Sequence, residues 1–266
     1  MRVFAFTGLL LWAVTATAQT DTVFNQTDKQ GRKQGFWKVK YQQGELKYTA
    51  FFKDDKPAGL MKRYYESGRL KAEMKFDTRG EKAFSKIYYE QGPLQADGNF
   101  IGTRKDSVWT YYSFYSKNIT KRETYKNGVL NGFSWVYYPD GKISEQREWK
   151  NGIPVNDWIR YYQNDSIFMK TSFTDGKRSG TFILNYQNGT PQWRGQYLND
   201  LPEGKWVNYN QKGEVAKTIE YKNGEALNAD QLLKEEKAYF DKMEKQKGSI
   251  AEPDEYNFWP KGQQPQ

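Results

Sequence analysis

Aromatic residues recur along this chain at a fixed interval. Phe52, Phe76, Phe100, Tyr125, Trp149, Phe173, Tyr197 and Tyr221 are separated by 24, 24, 25, 24, 24, 24 and 24 residues. Upstream of each ring lies a repeat origin, often glycine: Gly35, Gly59, Ala83, Ser107, Gly132, Asn156, Gly180 and Gly204. Nine residues past the origin comes a turn residue, at Gly44, Gly68, Gly92, Gly141, Asp165, Gly189 and Gly213. A second turn closes the unit, as in Asn127-Gly128, Asn151-Gly152, Asp175-Gly176 and Asn223-Gly224. The fourth copy carries one extra residue between Trp109 and Tyr125.

Each unit reads as a β-hairpin. Its first strand alternates, as in Trp37, Val39 and Tyr41 or Phe182, Leu184 and Tyr186, the period-two pattern of a half-buried strand. Its second strand opens on an aliphatic residue in seven of eight copies (Leu46, Leu70, Leu94, Ile119, Ile143, Ile167, Val215), with Pro191 the exception, and ends on the recurring ring. Two-residue turns such as Asp140-Gly141 and Asn188-Gly189 set Tyr138 opposite Ile143 and Tyr186 opposite Pro191. Further down the ladder Gly132 falls opposite Trp149 and Gly180 opposite Tyr197, so the missing side chain leaves room for a ring over the backbone. A lone hairpin cannot bury its apolar face, whereas eight in series share one. The expected fold is all-β: an elongated antiparallel meander of about eight 24-residue hairpins, with a C-terminal α-helix as cap.

Tyr64, Tyr88, Tyr112, Tyr137, Tyr161 and Tyr209 fall one position off the core phase, which puts a partly exposed tyrosine row on the second face of the sheet. Tyr64, Tyr88, Tyr137 and Tyr161 are therefore the candidate partner-binding residues, because large rings in a surface patch concentrate binding energy.

Composition narrows the chemistry. The chain has 266 residues with no histidine and no cysteine, which removes Ser-His-Asp and Cys-His catalysis, thiol redox chemistry and zinc fingers. Mean hydropathy is −0.98, yet 17% of residues are aromatic, so rings instead of aliphatics fill the core. Carboxylate pairs exist at Asp54-Asp55 and Glu235-Glu236. The first sits in a turn and the second on a helix face, without the cleft that paired-carboxylate hydrolysis needs. No phosphate-binding loop, dinucleotide fingerprint or metal-spaced cluster occurs. The reading is of a non-enzyme with no cofactor and no metal. The formal charge is +9, spread too thinly for nucleic acid. Lys38, Lys40, Lys62, Arg63 and Lys86 give the first repeats a basic stripe, suited to an acidic protein, an anionic membrane surface or a polysaccharide, or simply solvated.

The ends differ from the middle. Residues 1–18 combine Arg2, an apolar run from Val3 to Val14 and the small residues Ala16 and Ala18, the layout of a secretory signal peptide. Cleavage after Ala18 leaves Gln19 first and places the mature protein in the periplasm or outside the cell. Segment 19–30 leads into the repeats at 31–226. Asn228 or Asp230 caps a helix within 227–247, with Gly248 as its stop. Its apolar face (Leu232, Leu233, Tyr239, Phe240, Met243) is expected to cover the last strand, with partner docking as the other use. The tail 248–266 carries Phe258-Trp259-Pro260.

The glycine–aromatic hairpin resembles MORN repeats, in the bacterial variant form G-x-W-x-x-Y-Y-x-x-G-x-L followed by Y-x-N-G. Gly204, Trp206, Gly213, Val215, Tyr221 and Gly224 carry the best copy, and Gly132, Tyr137, Tyr138, Gly141, Ile143, Trp149 and Gly152 another. The eukaryotic Y-x-G-x-W core is not reproduced. The resemblance implies a scaffold for partner proteins, lipid binding in some members, and, through chains of the YwqK type, antitoxin-like neutralisation of a partner. Against the protein-interaction scaffold stands a carbohydrate-binding module that stacks exposed rings on sugars. The two part company over Trp37, Trp109, Trp158 and Trp206: buried indoles favour the scaffold.

Overall fold

The computed structural model describes residues 23–246. The expected signal peptide, Gly248 and the Phe258-Trp259 pair lie outside the described residues. Two compact units meet in sequence at Asp106 and Ser107. The first contains β1 (Gln26–Thr27), β2 (Lys33–Lys40), β3 (Leu46–Lys53), β4 (Lys56–Tyr64), β5 (Leu70–Phe76), β6 (Lys82–Tyr88) and β7 (Leu94–Ile101). Then comes β8 (Arg104–Tyr112), whose residues from Ser107 onward belong to the second unit. That unit continues with β9 (Ile119–Lys126), β10 (Val129–Tyr137), β11 (Ile143–Lys150), β12 (Ile153–Tyr161), β13 (Ile167–Thr174) and β14 (Lys177–Asn185). It closes with β15 (Pro191–Leu198), β16 (Leu201–Tyr209), β17 (Val215–Lys222), β18 (Glu225–Ala226) and helix α1 (Ala229–Gln246). Within each unit the strands follow one another as an antiparallel meander of hairpins.

The register departs from expectation by one residue at each hairpin tip. Tyr137, not Tyr138, stands opposite Ile143, and Asn185, not Tyr186, opposite Pro191. The cause is a three-residue loop in place of a two-residue one. Tyr138 N–H donates to Lys142 O at 2.8 Å, Gly141 N–H to Tyr138 O at 2.9 Å, and Gly141 sits at φ 89°. The ladder recovers the expected pairing further down, where a bulge skips Ser144 between the Tyr137–Ile143 and Val136–Glu145 pairs and Gln192 between the Asn185–Pro191 and Leu184–Trp193 pairs, before it reaches Gly132 opposite Trp149 and Gly180 opposite Tyr197. The turns between hairpins do have two residues, both left-handed: Asn127 (52°) with Gly128 (85°), Asp54 (52°) with Asp55 (65°), Asn199 (50°) with Asp200 (71°). This is the turn whose twist matches the flanking strands.

The origin glycines have a different cause from the one expected. Gly59 has φ 68°, and a Cβ added there would meet nothing within 4 Å, so no ring occupies its missing side chain. Instead β3 and β4 shift register between Thr49 and Phe51, and Gly59 supplies the left-handed residue of the bulge. Asn156 (φ 55°) does the same in β12. Ala83 tests the rule from the other side. Its strand β6 pairs with β5 without any shift, from Ala72 opposite Ile87 to Phe76 opposite Ala83. The connecting turn is correspondingly longer, closed by Asp77 N–H to Lys82 O at 2.9 Å.

Alternation gives the sheet two unlike faces. The first carries the indoles and terminal rings: in the first unit Ala50, Phe52, Ala72, Ala83 and Ala96 are buried, and in the second Trp109 and Trp206 are 0% and 7% exposed and Ile219 is buried. The fifth copy, which begins at Gly132, breaks this order. Ser134 takes the indole position and receives the Trp149 Nε1–H bond at 2.8 Å. Trp135 turns to the second face and stacks on Phe133 at 5.7 Å.

Helix α1 is present, but it buries no residue. Leu233, Tyr239 and Phe240 stay exposed, so these side chains do not supply the covering role expected of them. Asn228 opens the helix by accepting Leu232 N–H at 3.1 Å through its backbone carbonyl. Its side chain bonds to β17, to Thr218 O at 3.1 Å and Glu220 N at 3.2 Å.

Candidate functional site

In the first unit the second face presents apolar and cationic side chains in parallel ranks. Residues one and three positions past each origin point the same way on one strand. They read Phe36 and Lys38 on β2, Leu60 and Lys62 on β4, and Phe84 and Lys86 on β6. Phe36, Leu60 and Phe84 are 52%, 53% and 43% exposed, unusual for such large apolar groups in a strand, and Phe51 packs its ring edge on Phe36 at 5.1 Å. The cross-strand ladder runs Lys38, Thr49, Lys62, Glu73, Lys86, Asp97. Lys62 pairs with Glu73 at 3.4 Å, and Lys38 Nζ stands 3.9 Å over the Phe24 ring.

This corrects the composition of the basic stripe. Lys38, Lys62 and Lys86 share the second face. Arg63 pairs with Tyr48 and Ala72 in register and so points to the first. The apolar rank was legible at the same 24-residue spacing as the repeats. At the same place in its repeats the second unit carries Val108 and Phe133, then Asp157, Thr181 and Lys205.

The four candidate tyrosines form the third rank, and all are half-buried. Tyr64 and Tyr88 lie in the first unit, two residues beyond Lys62 and Lys86. Tyr88 is engaged: its hydroxyl donates to Glu73 Oε2 at 3.3 Å, and burial followed by the Glu73 charge pushes its pKa up. Tyr137 and Tyr161 lie in the second unit. Arg122 stands 5.8 Å from the Tyr137 ring, and both line an open groove of 510 Å³ with Lys117, Asn118, Ile119, Asp140 and Gly141. The structure thus brings Tyr64 and Tyr88 beside the apolar–lysine ranks and leaves Tyr137 and Tyr161 in separate surroundings.

None of the indoles that divide the two functional classes is exposed. Trp109 and Trp206 are buried, and Trp37 and Trp158 half-buried. Trp206 is packed by Phe182 at 5.1 Å, Tyr197 at 5.0 Å and Tyr221 at 6.1 Å, around an open apolar groove of 340 Å³. Those rings are committed to one another.

A family model described as the MORN repeat variant matches residues 58–77, 136–151 and 202–223. No curated protein matches the chain. The matched stretches fall on β4 with β5, on the end of β10 with β11, and on β16 with β17. Repeats of this type are binding modules for proteins or membranes and are not catalytic. Three stretches of this chain are therefore similar to MORN-variant repeats, on a hairpin lattice that extends beyond them.

Proposed function

We propose that the protein is a non-catalytic interaction scaffold whose first unit binds an acidic, apolar segment of a partner protein through Phe36, Leu60, Phe84, Lys38, Lys62 and Lys86. One observation carries the reading: three successive hairpins each present a large exposed apolar side chain two residues before a lysine, on the same face. Burying those apolar groups supplies affinity, and the lysines select acidic over basic partners. Tyr64 and Tyr88 border the same patch and extend it. The buried and half-buried indoles weigh against sugar stacking. Antitoxin-like neutralisation is the specific form of this function that the family resemblance suggests.

The test uses the full chain and an extended peptide alternating Glu with Leu and Phe. Saturable binding is expected, lost in the triple variant Phe36→Ser, Leu60→Ser, Phe84→Ser and in the triple reversal Lys38→Glu, Lys62→Glu, Lys86→Glu. Binding by either variant as tight as the parent's would overturn it. Binding to phosphatidylglycerol vesicles without binding to the peptide would reassign the face to a membrane surface. Export belongs to the same proposal: mass spectrometry of the functional pool should find Gln19 as first residue, and an intact Met1 there would remove the compartment.

A further inference from the structure

The second unit holds a guanidinium, Arg147, that forms no salt bridge among the described residues; Glu145 acts on it only through its charge. Arg147 lies on the first face of β11, opposite the bulge of β12, where register shifts between Gln146 and Glu148. Its Cζ stands 3.9 Å from the Trp158 ring centre, 5.1 Å from Trp149 and 5.8 Å from Phe173. Three neighbouring polar atoms are sealed from solvent without a hydrogen-bond partner: Arg147 Nε, Trp158 Nε1 and Thr171 Oγ1. Thr171 is 2% exposed and stands directly opposite Trp158.

Carboxylates are close but engaged elsewhere. Glu145, two residues along β11, faces Arg160 Nε at 3.9 Å. Glu123 on β9 takes Lys121 at 2.8 Å and the Tyr125 hydroxyl at 2.7 Å. A comparable arginine on the sheet is treated differently: Arg194 donates to Leu184 O at 3.0 Å, Trp193 O at 2.9 Å and Asn185 Oδ1 at 2.6 Å. Leaving a partly buried cation unpaired is costly, and stacking on rings offsets only part of that. Such a platform covers the flat faces of the guanidinium. It leaves the end with the two terminal nitrogens, neither of them among the sealed atoms, in the fork geometry that matches a carboxylate.

We propose that Arg147, held by Trp149, Trp158 and Phe173, is the anchor for a carboxylate of an acidic partner segment. A single uncommitted cation fits a singly charged carboxylate better than a doubly charged phosphate, because Arg160 is already paired. The site is separate from the first-unit ranks, so its failure and theirs are read independently.

Titration of the full chain with tetraglutamate tests this, following the Trp158 indole N–H resonance, which is assigned by its loss in Trp158→Phe. A saturable shift is expected with tetraglutamate and none with tetraglutamine. Arg147→Met keeps the stem and removes the fork, and should weaken binding at least tenfold while the remaining resonances stay dispersed. Arg147→Lys, which keeps the charge, should also bind more weakly than the parent and provides the readout if the methionine variant does not fold. No saturable shift, or equal affinity in the variants, would make the stack purely structural. Tighter binding of inorganic phosphate than of tetraglutamate would overturn the carboxylate assignment.

Discussion

The Tyr138 hydroxyl donates to the backbone carbonyl of Tyr161 at 2.6 Å. The same bond, 23 residues in span, recurs from Tyr41 to Tyr64 (2.9 Å), Tyr65 to Tyr88 (2.8 Å), Tyr162 to Asn185 (2.8 Å) and Tyr186 to Tyr209 (2.9 Å). Each hairpin tip is thereby tied to the next. The opposite edge has its own ties, backbone to backbone: Gly152 N–H to Leu130 O at 2.8 Å and Gly224 N–H to Pro202 O at 3.0 Å. The second of the paired tyrosines is thus a structural staple, whereas the first lends its carbonyl.

Removing one such hydroxyl should therefore cost stability at a distance of one repeat. Tyr138→Phe keeps the ring and leaves the Tyr161 carbonyl without this donor, at an expected cost of about 1 kcal/mol, with about 1–3 kcal/mol as the range if the acceptor stays dry. Tyr239→Phe, on the exposed helix, should change nothing. Urea unfolding of the two variants makes the comparison, and equal midpoints would remove the staple from the account.

Gly59 isolates the cost of backbone conformation. Alanine there meets no atom within 4 Å but must hold φ near 68°, which for an L-residue costs about 1–2 kcal/mol. Gly59→Asn should cost less than Gly59→Ala, because Asn156 occupies the equivalent place at φ 55° and short polar side chains tolerate this region. Ala83→Gly, in the copy without the bulge, should lose stability only through backbone entropy. Denaturant midpoints that rank alanine above asparagine at position 59 would refute the conformational explanation.

The hairpin lattice was readable because alternation and the 24-residue period both follow from strand geometry, which Trp109, Phe173 and Tyr197 obey. The tip register was not. Asp140-Gly141 reads the same whether the loop has two residues or three, and only the Tyr138–Lys142 bond separates the cases. Lys62 and Arg63 look alike as a basic run, and their adjacency in a strand is what sends them to opposite faces. The ranks of Phe36, Leu60 and Phe84 stood in the sequence at the repeat spacing, but an apolar residue in a strand suggests burial until the neighbouring strands are known. The same reason hides Arg147, whose isolation depends on where Glu145 and Glu123 find their partners. Helix α1 has a clear apolar stripe, and a stripe carries no information about the surface that would cover it.

Glu123 should make stability fall in acid. Burial alone would raise its pKa, but hydrogen bonds from Lys121 and Tyr125 and the Lys121 charge outweigh burial and hold it below the ordinary glutamate range. A carboxyl whose folded pKa lies under its unfolded value contributes stability that is present above the unfolded pKa, near 4.3, and is lost as pH falls through the folded one. The difference in stability between the parent and Glu123→Gln should then be constant from pH 7 to about pH 5 and shrink below it. A gap that persists unchanged down to pH 2 would show that the pairing contributes no pH-dependent stability.

Gly195 isolates the opposite cause. It carries no left-handed φ, so alanine suits its backbone, yet a Cβ there would come within 2.2 Å of the Trp206 ring, at Cδ2. Here a missing side chain does make room for an indole from the next strand: Trp206 passes over Gly195 to stack on Phe182, which stands opposite Gly195 in register. Gly195→Ala forces the indole off its partners, and an overpacked core of this kind costs about 1–3 kcal/mol. Trp206→Leu alone creates a cavity, with loss on the order of 3–5 kcal/mol expected for truncating a buried large ring. In the double variant the alanine no longer meets the indole, so the two losses should sum to more than the double variant shows, by at least about 0.5 kcal/mol. Chemical denaturation of the four proteins gives the cycle. Strict additivity would mean that Gly195 and Trp206 do not constrain each other, and what seats the Trp206 ring would have to be sought elsewhere.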